Sequence, residues 1–390
     1  MRIAHVIPYM HAAAGGPPVV VDRLSRELVL LGHEVQVLTT DYQSGANEFW
    51  HSSAHRPYRL EVFRTFQNLP YAYSFKFSKA IRQAVSDSDV VHVHTLWTHS
   101  SRSAMQACHH TNTPFLAMPH GMLDPFSIRR GWLKKQIYGR AFEWPLLRGA
   151  FGICFTHPEE ERLARQSCPG LPQGYIIELG AESSPDTAPA ILKEGFLRRF
   201  PQLINQAVVL FLGRVHAKKG LDLLIPAFAR VCRELPDAHL LLVGPGETAY
   251  VESIRRQVAQ LKLCDSVTIT GPLYDCDKWA AMASSRLFVL PSYQENFALT
   301  VVDALRSGLP VLLSRRINIW EDLVAAGVAR DCDLSIESVA REIIDCLCDC
   351  EWRSRAVVSG ESLLKSRFNW ASAAKQLATV YESARAVTRA

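Results

Sequence analysis

Short apolar runs alternate with longer amphipathic stretches along this chain, and the alternation starts afresh halfway. In the first half the runs Ile3–Ile7, Glu34–Leu38, Val90–Val93, Phe115–Met118 and Gly152–Phe155 read as strands. Helical patterns separate several of them, at Val19–Leu31, Phe75–Val85 and Thr98–His110. The second half repeats the scheme, with strands at Val208–Leu212, His239–Val243, Ser266–Ile269, Leu287–Leu290 and Val311–Leu313. Its helices are expected at Leu221–Leu235, Tyr250–Leu261, Lys278–Ala283, Leu299–Ser307 and Ile336–Cys350. Continuously apolar strands joined by helices bury both faces of a sheet, which is the pattern of parallel α/β architecture. A length of 390 residues is enough for two such domains. The segment from Gly180 to Pro189, rich in small residues and proline, is the expected linker. The expected divisions are therefore 1–181, 190–366 and a C-terminal helical tail, 367–390.

No apolar stretch approaches the roughly 18–20 residues of a membrane span. The run from Met1 to Pro8 is too short for a signal peptide and reads as a first strand, so a cytoplasmic location is expected. The ten cysteines are scattered, several inside apolar runs, as reduced and buried thiols would be. Cys346, Cys348 and Cys350 alternate, but on a helix alternate residues diverge around the axis, which argues against a metal site. The net charge of +5 is concentrated. Between Arg129 and Arg148, the bases Arg129, Arg130, Lys134, Lys135, Arg140 and Arg148 face a single acid, Glu143, and interleave with Trp132, Tyr138, Phe142 and Trp144. That mixture suits an anionic membrane surface, with a partly buried helix as the alternative. The absence of a recognisable nucleic-acid module argues against that partner.

Two strand-to-helix turns carry the strongest chemical signals. In Pro291–Leu305, Glu295 lies in the loop between a buried strand and a helix, and Asp303 follows eight residues later, two helical turns on. Two acids on one side of a crevice can accept hydroxyl protons from a sugar and a ribose. In Leu210–Asp222 a strand ends at Gly213, and Arg214 and Lys219 flank the turn into the next helix. The C-terminal edge of a parallel sheet beside a helix N-terminus is where open α/β sheets bind ligands. An Arg fork and a Lys point charge there can neutralise a diphosphate.

These stretches resemble, respectively, the E-x7-E signature and the G-R-x4-K-G turn of retaining glycosyltransferases of family 4. The resemblance implies a GT-B fold: two Rossmann-like domains facing a central cleft, with the last helix packing back on the N-terminal domain. It implies that Glu295 lies beside the donor sugar, that Asp303 binds the nucleotide ribose, and that Arg214 and Lys219 stabilise the leaving diphosphate. Asn296, Phe297, Ala298 and Leu299 complete that donor loop. Gly244 and Leu273 stand in the loops expected near base and ribose, and Gly15 and Gly16 resemble the family's glycine loop after the first strand. The sequence departs from the pattern at two points: Asp303 replaces the usual Glu, and Ala298 the usual Gly. The string His-Gly-Met-Leu-Asp-Pro at 120–125 resembles a subset of the family that builds bacterial surface polysaccharides, and there His120 would contact the donor sugar. Asp124 either binds acceptor hydroxyls or caps the following segment, and the cap is the favoured reading.

His92 and His94 project to one face of a strand, but no third ligand is evident at suitable spacing, and the family's similar H-x-H-x-x-W segment holds no metal. The Asp-x-Asp pairs Asp87/Asp89, Asp275/Asp277 and Asp331/Asp333 fall before a strand or at helix starts, where the last two read as caps. No metal or other cofactor is therefore expected. The expected activity is transfer of a sugar from a UDP- or GDP-sugar to a glycan or polyprenyl-linked acceptor, at the inner face of the plasma membrane if segment 129–148 binds lipid. Two rivals use the same pocket: a nucleotide-sugar 2-epimerase, and a partner subunit that binds nucleotide sugar without turnover.

Overall fold

The computed structural model describes residues 1–11, 14–42, 56–66, 71–129, 131–182 and 185–389. Contacts divide it into two compact units, Met1–Leu179 with Asn369–Ala390, and Gly180–Phe368. The segment expected as a linker is grouped with the second unit, and the helix Trp370–Arg389 is grouped with the first.

The first unit holds seven parallel strands: β1 (Arg2–Val6), β2 (Glu34–Thr40), β3 (Arg59–Phe63), β4 (Val90–His94), β5 (Phe115–Met118), β6 (Gly152–Phe155) and β7 (Gly174–Ile176). Their order is β3-β2-β1-β4-β5-β6-β7. The central strands β4, β5 and β6 are buried at every position, as an apolar strand covered by helices on both faces must be. The helices have local causes. Gly15 takes φ 92° and lets the chain turn into Gly16–Leu30, where Pro17 fits the first turn because no intrahelical N–H is needed there. Thr98 and Ser101 close a reciprocal capping box at the start of His99–Thr111.

The second unit holds six parallel strands: β8 (Ala207–Leu212), β9 (Ala238–Val243), β10 (Val267–Gly271), β11 (Leu287–Leu290), β12 (Val311–Ser314) and β13 (Ala329–Cys332). Their order is β10-β9-β8-β11-β12-β13. In both sheets the order reverses direction once, between β1 and β4 in the first and between β8 and β11 in the second. At such a switch point the two following connections leave on opposite sides, and a crevice opens at the strands' C-terminal ends. β8 and β11 are the strands that carry the two strongest motifs of the sequence.

Three strands were not expected: β3, β7 and β13. The stretch expected as one helix, Ile336–Cys350, is two, Ile336–Cys348 and Cys350–Ser366, broken at Asp349. Cys346 is buried whereas Cys348 and Cys350 are exposed, so the three thiols diverge.

Candidate donor site at the sheet switch points

The loop after β8 runs from Gly213 through a short 3-10 turn, Ala217–Lys219, to Gly220, and then enters the helix Leu221–Glu234. Gly220 has φ 72°, and a Cβ there would lie 2.0 Å from the Pro291 carbonyl oxygen, so only glycine lets this loop touch the loop after β11. Gly244, with φ 144°, is needed for the same reason: a Cβ would meet the Gly213 carbonyl oxygen at 1.9 Å. The Tyr293 N–H donates to the Lys218 carbonyl at 2.9 Å, and the Tyr293 hydroxyl donates to Asp222 at 2.7 Å. The two connections are therefore one packed body.

Within it, Lys219 Nζ lies 2.8 Å from Glu295 Oε1, and both side chains are largely buried. Burial raises the Glu295 pKa, but the charges of Lys219, Lys218 and Arg214, with a hydrogen bond from Lys219, outweigh it and hold the carboxyl below its usual range. Lys218, the neighbour of Lys219, thus also contributes to the field on Glu295. Glu295 is fixed through its backbone too. Its N–H donates to the Arg316 carbonyl at 3.0 Å, and its carbonyl accepts from the Asn318 N–H at 3.2 Å. Arg214 is exposed at the mouth of the same loop. The helix Leu299–Arg306 starts three residues after Asn296 with no side-chain cap, because Ala298 stands at the N-cap with φ 54°. The Val301 N–H turns back to the Ala298 carbonyl at 2.8 Å, and the uncapped helix start, with Arg214 and Lys219, makes a positively polarised surface suited to a phosphate group.

The side chains of the other expected donor residues have these surroundings. The Phe297 ring is buried edge-on against Phe368, with centroids 5.6 Å apart, so its side chain serves the core. Asn296 Oδ1 accepts from Asn318 Nδ2 at 3.1 Å. Leu299 is the first helical residue and Leu273 is half-buried in the loop after β10. Asp303 is buried and engaged: Oδ1 accepts the Glu182 N–H at 3.0 Å, and Oδ2 lies 3.2 Å from Lys278 Nζ, which also bonds the Glu182 carboxylate. Burial raises the Asp303 pKa, against the pull of Lys278. Glu182 and Lys278 were not singled out from sequence; nothing in their local spacing links positions so far apart. The Asp pairs are also resolved. Asp275 and Asp277 sit in the first helical turn, where Asp277 pairs with Arg199 at 2.8 Å, and the cap is Tyr274. Asp331 and Asp333 both pair with Arg315, and Ser335 caps the next helix.

In the first unit the loop after β5 carries His120 with φ 51°. Its Nε2 lies 3.1 Å from His94 Nδ1. Burial of the ring drives the His120 pKa down to about 3, so the imidazole is neutral. The next residue, Gly121, donates its N–H to Glu160 at 2.7 Å, and Glu160 also accepts from Thr156, which fixes the loop. Asp124 Oδ1 accepts the Phe126 N–H at 2.7 Å at the head of the helix Pro125–Arg129, the capping role expected of it. His5 from β1 supplies the third imidazole that sequence spacing did not reveal: ligand-capable atoms of His5, His92 and His94 all lie within 4.8 Å of one another.

Residues 197–362 match the family described as "Glycosyl transferases group 1", and residues 15–172 match "Glycosyl transferase 4-like domain". The two matches take in most of both units, and the chain belongs to the family 4 glycosyltransferases with the GT-B fold. It is 26% identical to the phosphatidyl-myo-inositol mannosyltransferase of Mycobacterium tuberculosis, over 98% of this chain and 97% of that protein. It is 25% identical to the O-antigen chain mannosyltransferase B of Escherichia coli, over 46% of this chain and 47% of that one. Among solved structures, the Anabaena protein HepE in complex with UDP and glucose superposes with a TM-score of 0.80 at 20% identity, covering 98% of this chain and 100% of that one. Sucrose-phosphate synthase from Thermosynechococcus elongatus gives 0.75 at 21% identity, with 99% of each chain covered.

Proposed function

We propose that this glycosyltransferase takes its sugar from a nucleoside diphosphate sugar, UDP- or GDP-linked, and passes it with retention to a glycan or polyprenyl-linked acceptor in surface polysaccharide synthesis. The reading rests chiefly on one observation: Lys219 and Glu295 form a shielded ion pair at the switch point of the second sheet, beside Arg214 and an uncapped helix start. Negative charge develops on the departing diphosphate during glycosyl transfer, and fixed cations and amides there lower the barrier without reorganising. Glu295, held ionised, accepts hydrogen bonds from sugar hydroxyls. In the first unit, His120 is read as a hydrogen-bond partner for the donor sugar. Arg214 and Lys219 supply the positive charge, so we expect no metal requirement. Asp303, buried and bonded to Lys278 and the Glu182 N–H, is read as reaching the ribose indirectly, through these two neighbours.

The segment 129–148 supports a membrane-facing role. Trp132, Leu133 and Ile137 are 57%, 61% and 64% exposed beside the exposed bases Lys134 and Arg140. A groove of about 340 Å³ between Arg140 and Arg148, lined also by Gln136, Trp144, Ser167 and Pro169, can take a lipid phosphate. The set of contacts differs from the one the sequence suggested. Trp144 is buried, Tyr138 bonds the Tyr71 hydroxyl, and Lys135 donates to the Ser127 carbonyl at 2.6 Å; Arg130 lies outside the described residues. No helix among the described residues is long and apolar enough to cross a membrane.

The test is thermal stabilisation by a panel of UDP- and GDP-sugars, in the native chain and in Arg214→Ala. At a concentration one hundred times Kd, a donor adds about 2.7 kcal/mol, roughly 5–10 °C in Tm for a unit of this size. We expect that shift for one base, and its loss in the variant. A panel without any shift, or a shift indifferent to Arg214, would sink the donor assignment. Sugar appearing on an acceptor, with the anomeric configuration read by NMR, separates transfer with retention from epimerisation and from binding alone.

A further inference from the structure

His5 and His92 are register partners on β1 and β4, and His94 follows two residues later, so the three imidazoles share one face of the sheet. They form a directed line. His5 Nδ1 lies 2.9 Å from His94 Nε2, and His94 Nδ1 lies 3.1 Å from His120 Nε2. His92 stands beside the line and bonds the Tyr381 hydroxyl at 2.7 Å through Nδ1. Burial keeps all four rings neutral. A neutral imidazole has one N–H and one bare nitrogen, so the line has only two self-consistent arrangements. Either every proton points toward His5, which leaves an N–H on His5 Nε2, or every proton points toward His120, which leaves His5 Nε2 bare. His5 Nε2 is buried with no hydrogen-bond partner among the described residues. Among buried backbone groups an orphaned N–H is rarer than an under-used acceptor, and the proton order of the line is chosen on the same ground.

We infer that His5 and His94 are positioning residues that order the protons of this line, so that His94 donates to His120 Nε2 and His120 carries its proton on Nδ1. The remaining nitrogen of His120 is then an N–H donor with a fixed direction, suited to an oxygen of a sugar and unsuited to accepting a hydroxyl proton. This deepens the proposed role of His120 and rests on it for its catalytic consequence, but the proton order itself is a property of the free protein.

The experiment is two-bond ¹H–¹⁵N correlation NMR on the full chain labelled with ¹⁵N-histidine, His120 being assigned by the signals lost in His120→Asn. The expected result is a single His120 tautomer with the proton on Nδ1. In His94→Phe, which keeps an aromatic ring in the gap, His120 should average between tautomers; His5→Phe, further back, should loosen the order in part and serves if the first variant does not fold. A proton on Nε2 in the native chain, averaging already present there, or order unchanged in both variants would overturn the inference. So would one equivalent of zinc in the purified chain that protects the three histidines, since a cation would then own these nitrogens. Turnover with the donor found in the thermal panel is the separate arm. His94→Phe should lower kcat about tenfold while the nucleotide of that donor still binds. Ordered protons with unaffected turnover would leave the inference standing and remove His120 from the reaction.

Discussion

At the scale of single residues, two departures from the family pattern have measurable consequences. Ala298 holds φ 54° at the N-cap of Leu299–Arg306. A left-handed Ala costs roughly 1–2 kcal/mol, and glycine would give back about 0.5–1 kcal/mol of that through its greater chain entropy when unfolded. Ala298→Gly is therefore expected to raise Tm by a few degrees in calorimetry; a fall would mean that the methyl group packs usefully. Asp303, one methylene shorter than Glu, ends on Lys278 and the Glu182 N–H. Lys278→Met would leave two poorly hydrated carboxylates facing each other, and a loss of about 3 kcal/mol is expected in urea titration. A loss under 1 kcal/mol would show that water already screens the cluster. Arg214, Lys219 and Glu295, the residues proposed to bear charge toward a ligand, were legible because each belongs to a local strand–turn–helix pattern. Glu182, Lys278 and His5 were not, because their partners are brought to them only by the sheet.

At the scale of elements, the strands missed in the sequence share one property: β3, β7 and β13 are all sheet edges. An edge strand is covered less, so it needs no continuous apolar run, and β13 even carries Arg330 and Asp331. The central strands, buried on both faces, announced themselves to within a residue or two. The stretch Trp132–Arg148 was legible as basic and aromatic but not in its shape. It forms two helices joined by a π-helical turn, Gly139–Glu143, which turns Trp144 inward while Leu133 and Ile137 stay outside. For this element the prediction is partition to vesicles containing anionic lipid in a sedimentation assay. Trp132→Ser with Ile137→Ser should reduce binding at least tenfold, given the apolar area removed, and Arg140→Gln should weaken it further at low salt. Binding unchanged in both variants would remove the surface from consideration.

At the scale of the molecule, the interior of the first unit sets an acid limit. His5, His92 and His94 are fully buried and kept neutral, with His5 driven down to about 3. Unfolded, each takes up a proton near pH 6.5. The unfolded state thus binds more protons below that pH, and stability falls as pH drops from about 6.5 toward the folded values, by up to about 1.4 kcal/mol per pH unit for each ring. Glu143 acts in the opposite sense: burial lifts it to about 7, so its protonation as pH falls through 7 favours the folded state. Three imidazoles outweigh one carboxyl. The unfolding midpoint in urea should decline steeply between pH 6 and pH 4, and less steeply in His5→Phe; equal slopes would place the acid sensitivity elsewhere.

The second unit begins and ends at one point, where the Ala181 N–H meets the Phe368 carbonyl at 2.9 Å. It is an insert whose two ends are clasped, and the chain resumes beyond it with the helix whose Tyr381 anchors His92. Were residues 180–368 unfolded, bringing that helix home would mean closing a loop of the whole insert, an entropic cost of roughly 4–5 kcal/mol. The folded insert removes that cost by delivering Asn369 next to Leu179. The helix that completes the first unit is therefore held in place partly by a fold it does not belong to, and injuries to the insert should be felt first as fraying at the chain's last helix.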